Sequence, residues 1–234
     1  MDTLKTIARM HSDFPAKFGI PRQSSLVKGL RSAIVFEPEY RSWEAVRGLE
    51  DFSHLWLIWG FSQVGADEWS PTVRPPRLGG NARMGVFATR SPYRPNPMGL
   101  SSVEMAGIEK HPQWGPVIVV LGADLMDKTP IYDIKPYLPF VDSHPDARAG
   151  FASRPPAPVL QVEILPACSA LLPQKVEQTL KEVLAQDPRP SYQRDAGRVY
   201  GMEFAGFEVK FSVDGEVLRV CEVAKREQGE TNLP

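Results

Sequence analysis

The sequence predicts a mainly β protein: a barrel or sandwich of short strands over residues 1–150, a linker at 151–158, and a small α+β domain over 159–234. Three observations lead there. Apolar and β-branched runs of strand length recur through the first part, separated by Pro/Gly loops and with little helical periodicity between them. No Gly-x-Gly-x-x-Gly follows a strand and no Gly-Lys-Ser phosphate loop occurs, which disfavours dinucleotide-type and P-loop folds. The composition then breaks at GFASRPPAP, residues 150–158, and a different pattern begins.

Taken in order, Leu4 to Met10 reads as an opening strand that leads into FPAKFGIPRQSSLV, a loop punctuated by Pro15, Gly19 and Pro21. Pro21 stiffens the backbone just before Arg22 and Gln23, one cation and one amide. SAIVFEPEY is a strand stopped at Pro38. YRSWEAVRGLED has Trp43, Val46 and Leu49 three apart, which predicts a short helix over Tyr40 to Asp51. FSHLWLIWGFSQV is almost wholly apolar and reads as a strand buried on both faces. His54 at its start reads as a packed structural histidine. LSSVEMAGIEK alternates loosely, and PVIVVLGADLM is a β-branched strand.

Beyond the break, Val176, Leu180, Val183 and Leu184 have the spacing of an amphipathic helix that stops before Pro188. VYGMEFAGFEVKFSV and EVLRVCEVAKRE follow as two strands joined by a hairpin turn at Asp214-Gly215. Asp187-Pro188-Arg189-Pro190, with Tyr192 and Arg194, forms a rigid basic loop carrying an aromatic, a combination that suits stacking on an unpaired base beside a phosphate. A solvated loop is the plainer reading of those few residues.

Totals narrow the function. The chain has 234 residues, 42% hydrophobic and 24% charged, with a formal net charge of -1. A polyanion would therefore have to be met by a local patch. The N-terminus lacks a signal-peptide pattern and no run reaches membrane-spanning length, so a cytoplasmic protein without membrane association is expected. Cys168 and Cys221 are too few for a disulfide framework, and His11, His54, His111 and His144 have no ligand spacing; no metal is expected.

The local patch is the stretch from Pro71 to Met105, with six prolines, five arginines (Arg74, Arg77, Arg83, Arg90, Arg94) and no acid between Glu68 and Glu104. Proline excludes helix and sheet interior, so rigid basic loops on either side of a short MGVFATR strand are expected. Guanidinium groups held this way suit a phosphate, a carboxylate or a charged cofactor. A second stretch, DLMDKTPIYDIKPYLPF, groups Asp124, Asp127 and Asp133 with Lys128, Lys135, Tyr132 and Tyr137 among prolines. Its spacing matches no calcium loop; a general base, hydrogen-bond acceptors for a ligand, or plain turn chemistry are the readings open.

RPPRLGGNARMGVFATRSPYRPNPMGLSSVE closely resembles the signature of the TsaA-like family, also called YaeB or TrmO. PRQ at Pro21 to Gln23, VRGLEDFSHLW, DLMDKTPIYDIKPYLPF and AQDPRPSY resemble its other blocks, in the same order, over nearly the whole chain. The resemblance implies a β-barrel, non-Rossmann methyltransferase that uses S-adenosyl-L-methionine and works as a homodimer. It implies a tRNA substrate, the N6-threonylcarbamoyladenosine next to the anticodon, methylated on its exocyclic nitrogen. It also implies cofactor contacts at Pro21, Arg22, Gln23, Ser62, Gln63, Arg90, Leu100, Asp124, Leu125, Met126 and Asp127. Relatives can place His where this chain has Ser62, so backbone contacts are the expectation there.

Chemistry then suggests roles within that implied reaction. A sulfonium donor brings its own electrophile, so the protein needs alignment and no nucleophilic Ser or Cys. An N-acylated adenine amine is more acidic than a free one, and a carboxylate or neutral lysine can take its proton. Asp133 and Lys135 are candidates for that role, with Asp127 third. Arg94 is the candidate for the threonyl carboxylate, and Arg74, Arg77, Arg83, Asn96, Tyr137, Arg189, Tyr192 and Arg194 for other tRNA contacts. Two other readings stay open: a tRNA- or nucleotide-binding module without catalysis, and a methyltransferase for a different, small substrate.

Overall fold

The fold is described from a computed structural model, over residues 4–65, 68–79, 81–153, 160–190, 195 and 197–226. Six strands build the first unit: β1 (Ala8–His11), β2 (Arg31–Phe36), β3 (His54–Gly60), β6 (Met98–His111), β7 (Gly115–Leu121) and β8 (Pro130–Pro136). Two-residue strands β4 (Thr72–Val73) and β5 (Met84–Gly85) pair with each other and stand apart. The six run in the order β1-β2-β7-β6-β3-β8 and β8 returns to β1, so the sheet closes. Every neighbouring pair is antiparallel. Closure leaves no free edge, and shifts in pairing at Ile58/Trp59 and at Met105/Gly107 bend the sheet to permit it.

Side chains alternate across each strand, so one face of every strand points inward. Leu55, Leu57 and Trp59 of β3 are buried with Ile34, Val103, Ile118, Val120 and Ile131 inside the barrel. Trp56 and Ile58 are only partly buried. The expectation of a β3 buried on both faces therefore fails: the outward face is apolar but not covered by another layer. Trp59 finds room inside because its cross-strand partner is Gly99, where a Cβ would fall 2.2 Å from the indole.

Closed antiparallel order has one consequence for the site. The connections β1–β2, β3–β6 and β7–β8 all leave from the same end of the barrel, because Arg31 pairs with Leu121, Gly60 with Met98, and Arg9 with Pro130. These are the segments that hold PRQ, the proline–arginine stretch and DLMD. One mouth collects them all.

After β8 come a short α1 (Pro139–Asp142) and, beyond residues 154–159, the second unit: β9 (Gln161–Ile164), α2 (Pro166–Ser169), α3 (Gln174–Ala185), β10 (Tyr200–Phe204), β11 (Phe207–Asp214) and β12 (Val217–Lys225). The helix covers the expected residues, burying Leu180, Val183 and Leu184 along one face, with a half-buried Lys181–Glu177 ion pair at 2.6 Å. The sheet runs β10-β11-β12-β9, with β9 parallel to β12.

Three expectations about elements need correction. Tyr40 to Asp51 is not one helix but 3-10 turns at Trp43–Val46 and Leu49–Asp51, preceded by another at Pro38–Tyr40. Extended backbone at Ser42 and Arg47 and left-handed Gly48 (φ 81°) interrupt it, so Trp43 and Leu49 do not share a buried face. MGVFATR contributes only β5 and then turns at Val86–Ala88; Val86 alone is buried and Phe87 is 74% exposed. VYGMEFAGFEVKFSV is two strands, folded at Ala205-Gly206 with φ of 49° and 79°, the positive pair that a tight hairpin requires. Alanine in that turn hides the signal that asparagine would give.

The two units have separate cores, and their membership does not follow the chain. Phe14, Val27 and Leu30, from the β1–β2 connection, are buried in the second unit's core with Leu180, Phe204, Val209 and Phe211. Among the described residues no helix is long and apolar enough to cross a membrane, and no His/Cys/Asp/Glu group is arranged to hold a metal. Cys168 is buried and Cys221 exposed, both free.

Candidate active site

At the mouth, Asp124 is the best-connected group. The Ser101 hydroxyl donates to Asp124 Oδ1 at 2.6 Å, and the Trp59 indole N–H donates to the same Ser101 oxygen at 3.0 Å. Burial pushes the Asp124 carboxyl above its ordinary value, opposed by the Ser101 hydroxyl, by its own and the Ser24 backbone amides, and by the charge of Arg90. Ser101 sits on β6 because its strand alternation turns it inward, where a hydroxyl must find partners. Neither Ser101 nor Trp59 stands out in the sequence, where nothing shows that the first serine of LSSVEM and the second tryptophan of LWLIWG face each other inside the barrel.

The neighbouring segments meet there. Arg90 Nη1 donates to Gln23 Oε1, tying the proline–arginine stretch to PRQ. Gln63 Nε2 lies 3.2 Å from Met126 Sδ, joining the end of β3 to DLMD. Pro21 is buried, while Arg22, Ser62, Gln63 and Arg90 are exposed. Leu125 is buried in the barrel core, and its carbonyl accepts the Ser12 hydroxyl at 2.9 Å. Asp127 Oδ1 accepts the Ser12 amide at 3.3 Å. Nearby, burial lowers the His11 pKa, against the pull of the Asp127 charge and with that of Lys128. Burial likewise raises Asp13, with Lys175 opposing and Asp127 adding.

Leu100 does not join this group through its side chain. It alternates with Ser101, points outward and is 55% exposed. Cross-strand pairing lines it up with Ile58 and Asp133 on the outer face. Asp133 Oδ1 accepts the Ile134 amide at 2.9 Å, and Asp133 Oδ2 pairs with Lys135 Nζ at 2.8 Å. The base candidates thus divide, Asp127 at the mouth and Asp133 with Lys135 on the outer wall. Tyr137 lies at the far end of the barrel, where its amide donates to the His54 carbonyl and its ring packs against Trp56 and His54. His54 itself sits 3.0 Å from the Ser53 hydroxyl through Nδ1, a packed position as expected.

The arginines differ in what they already hold. Arg94 Nη1 donates to the carbonyls of Thr89 (2.7 Å) and Val86 (3.2 Å), and the guanidinium lies 5.6 Å from the Phe87 ring centroid. Arg83 Nη1 donates to Thr72 Oγ1 at 3.3 Å, across the β4–β5 pair. Arg74 and Asn96 are exposed. Arg189 forms a two-pronged pair with Asp187 at 2.8 and 3.0 Å, and its carbonyl receives Arg22 Nη2 at 3.3 Å. The side chain of Arg77 and all of Tyr192 and Arg194 lie outside the described residues.

Comparison with known proteins bears on what this mouth does. A family model described as the tRNA-methyltransferase O N-terminal domain matches residues 9–143, and one described as the TrmO C-terminal domain matches 157–226. A tRNA (adenine(37)-N6)-methyltransferase of Escherichia coli K12 is 46% identical over 216 residues, covering 88% of this chain and 91% of that protein. A Pseudomonas aeruginosa protein named, provisionally, as an S-adenosylmethionine-dependent methyltransferase is 40% identical over 231 residues, covering 95% of this chain and 97% of its own. The crystal structure of TrmO from Pseudomonas aeruginosa superimposes with a TM-score of 0.76 at 33% identity, covering 96% of this chain and 99% of that one.

Proposed function

The chain belongs to the tRNA-methyltransferase O (TrmO) family, and from that premise we propose how its residues carry the reaction. It is an S-adenosylmethionine-dependent tRNA methyltransferase that acts on N6 of adenine 37, beside the anticodon. The observation that carries the reading is the meeting of PRQ, the end of β3, Arg90 and DLMD at one barrel mouth, through the Gln23–Arg90, Gln63–Met126 and Ser101–Asp124 contacts.

The donor set fits the cofactor. Its amino-acid end needs both charge signs, its ribose and adenine need hydrogen-bonding groups, and its sulfur is positive. The mouth offers Asp124 and Asp127, Arg22 and Arg90, and the amides of Gln23 and Gln63. Met126, partly exposed beside Gln63, supplies apolar surface. When bound, S-adenosylmethionine supplies a methyl group on a positively charged sulfur, so the chain's task is alignment.

The residues have separable parts in this scheme. Asp124 is held in one orientation by Ser101, and Arg90 and Gln23 latch the proline–arginine stretch over it. Asp127 takes the proton from the exocyclic nitrogen: its position at the mouth supports it over Asp133 and Lys135, which neutralise each other on the outer wall. The finer substrate is N6-threonylcarbamoyladenosine. Its carboxylate meets Arg94, whose two carbonyl bonds engage Nη1 and brace the guanidinium towards a second, charged partner. Exposed Arg74 and Arg83 meet phosphate. A homodimer is supported by exposed apolar residues, Leu100 on the outer face of β6 and Phe140 and Val141 in α1, which are 55%, 85% and 53% exposed. The cytoplasm, where tRNA is modified, is the compartment that fits.

The test is methyl transfer from labelled S-adenosylmethionine to tRNA from cells lacking this protein, followed by nucleoside mass analysis. The expected product is threonylcarbamoyladenosine heavier by one methyl. Label on unmodified adenosine would refute the finer substrate, and Arg94→Ala with an unchanged preference for modified tRNA would remove Arg94 from it.

A further inference from the structure

The β1–β2 connection belongs to the barrel by sequence and to the second unit by packing. Its anchors are apolar: Phe14 meets Phe204 with ring centroids 5.2 Å apart, and Phe18 stacks on Phe211 at 6.4 Å. Two hydrogen bonds repeat the link, one between backbones from the Ala205 amide to the Asp13 carbonyl at 3.0 Å and one from the Arg22 side chain, Nη2, to the Arg189 carbonyl at 3.3 Å. Gly19, with φ at 98°, lies against Met202, whose methyl is 2.4 Å from where a Cβ would stand. PRQ begins two residues later. Towards the barrel the same connection is tied mainly by polar bonds: Ser25 amide to Gly122 carbonyl and Gly122 amide to Leu30 carbonyl, both at 2.8 Å, and Asp127 amide to Phe14 carbonyl at 2.8 Å.

We propose that Met202 and Phe204 are positioning residues for the cofactor: they seat the arm from Phe14 to Ile20 so that Pro21, Arg22 and Gln23 face Arg90 and Asp124. The C-terminal domain then supports the cofactor site from behind, through the arm, in addition to any contact it makes with tRNA. This rests on the assignment of Pro21 to Gln23 to the cofactor. Residues buried within β10, with no route to the cofactor, control its affinity through the arm they hold.

The test measures S-adenosylmethionine affinity by calorimetry and tRNA affinity by filter binding on the full chain, for wild type, Phe204→Leu and Met202→Ala. The expected result is cofactor Kd raised about tenfold, tRNA Kd changed by less than about twofold, and kcat near wild type at saturating cofactor. A folded variant with unchanged cofactor Kd, or with equal losses for both ligands, overturns the proposal. Wild type that binds no cofactor refutes the underlying assignment instead, a separate outcome. Amide exchange of the wild-type chain in rising denaturant decides the matter if both variants fail to fold. Ile20 and Leu30, whose amides bond within the connection, are expected to open together with β10–β12; opening with β2 and β7 overturns the proposal.

Discussion

The barrel and the C-terminal sheet are built from similar residues but close their cores differently. Barrel strands fill their own interior: from Ala8 to Ile131, every buried member of that cluster comes from the barrel or the turns next to it. The C-terminal core is filled only when Phe14, Val27 and Leu30 arrive from more than 100 residues earlier, with Phe18 and Ile20 packed at its margin. A closed sheet supplies two faces of apolar contact from one ladder, whereas four strands and one helix leave a flank that something else must cover. The flank is covered by the segment that carries PRQ, and so an incomplete core is joined to a candidate binding loop.

Substitution can break this contrast. Phe14→Ala is expected to have the largest effect, destabilising by about 3–5 kcal/mol because a ring 1% exposed leaves a cavity. Amide exchange is expected to place that loss in β10–β12 and α3, with β2 and β7 retaining most of their protection. Loss spread evenly over both units would mean that the cores are one. Leu57→Ala, inside the barrel, is the mirror experiment, with about 2–5 kcal/mol lost chiefly from the barrel strands.

A smaller effect sharpens the contrast at the mouth. Ser101→Ala is expected to cost about 1–3 kcal/mol, since it leaves the Trp59 N–H and an Asp124 oxygen without their partner. The hydroxyl holds the Asp124 carboxyl down against burial, so its removal raises that carboxyl further. Asp124 in the fold binds a proton more readily than in the unfolded chain. Its contribution to stability therefore falls as pH rises from the unfolded value of 3.8 through the raised value. Cofactor binding runs the other way, weakening as pH falls through the raised value, and Ser101→Ala moves that midpoint upward. Calorimetric titration at several pH values checks both signs.

The smallest effect lies at the far end. Hydrogen bonds from the Leu138 amide and the Trp56 indole hold the Asp142 carboxyl below its ordinary value of 3.8. Its contribution is present above 3.8 and lost as pH falls through the lowered value. Trp56 fluorescence is expected to change in that acid range in wild type and not in Asp142→Asn, while the mouth titrates separately.

Much of this architecture can be read from residue order, and the failures have physical causes. The strand runs at Arg31–Phe36, His54–Gly60 and Gly115–Leu121 and the helix at Gln174–Ala185 follow from periodicity because each is held by its own pattern. Apolar spacing misleads at Trp43, Val46 and Leu49, where left-handed Gly48 outweighs it, and at Ala205-Gly206, where the sheet imposes a turn that the residues do not advertise. PRQ, Arg90 and DLMD were legible as separate blocks. That they share a mouth was not, because it depends on strand order around the barrel. Ser101 was invisible for the same reason, since its importance comes from facing Asp124 across β6 and β7. Which barrel end Tyr137 occupies was likewise not legible, because an aromatic near lysine and proline gives no hint of it.

The borrowed segment also sets a timetable. A ribosome makes Phe14, Phe18 and Ile20 near the start and Met202, Phe204 and Phe211 near the end, a delay on the order of ten to thirty seconds at ordinary elongation rates. Throughout that interval the barrel strands can pair while the arm has nothing to dock on, and its aromatic residues stand open to chaperones. Only when the last hairpin emerges does the arm find its seat. A chain cut short before β10 would therefore have barrel strands able to pair and an arm without its seat.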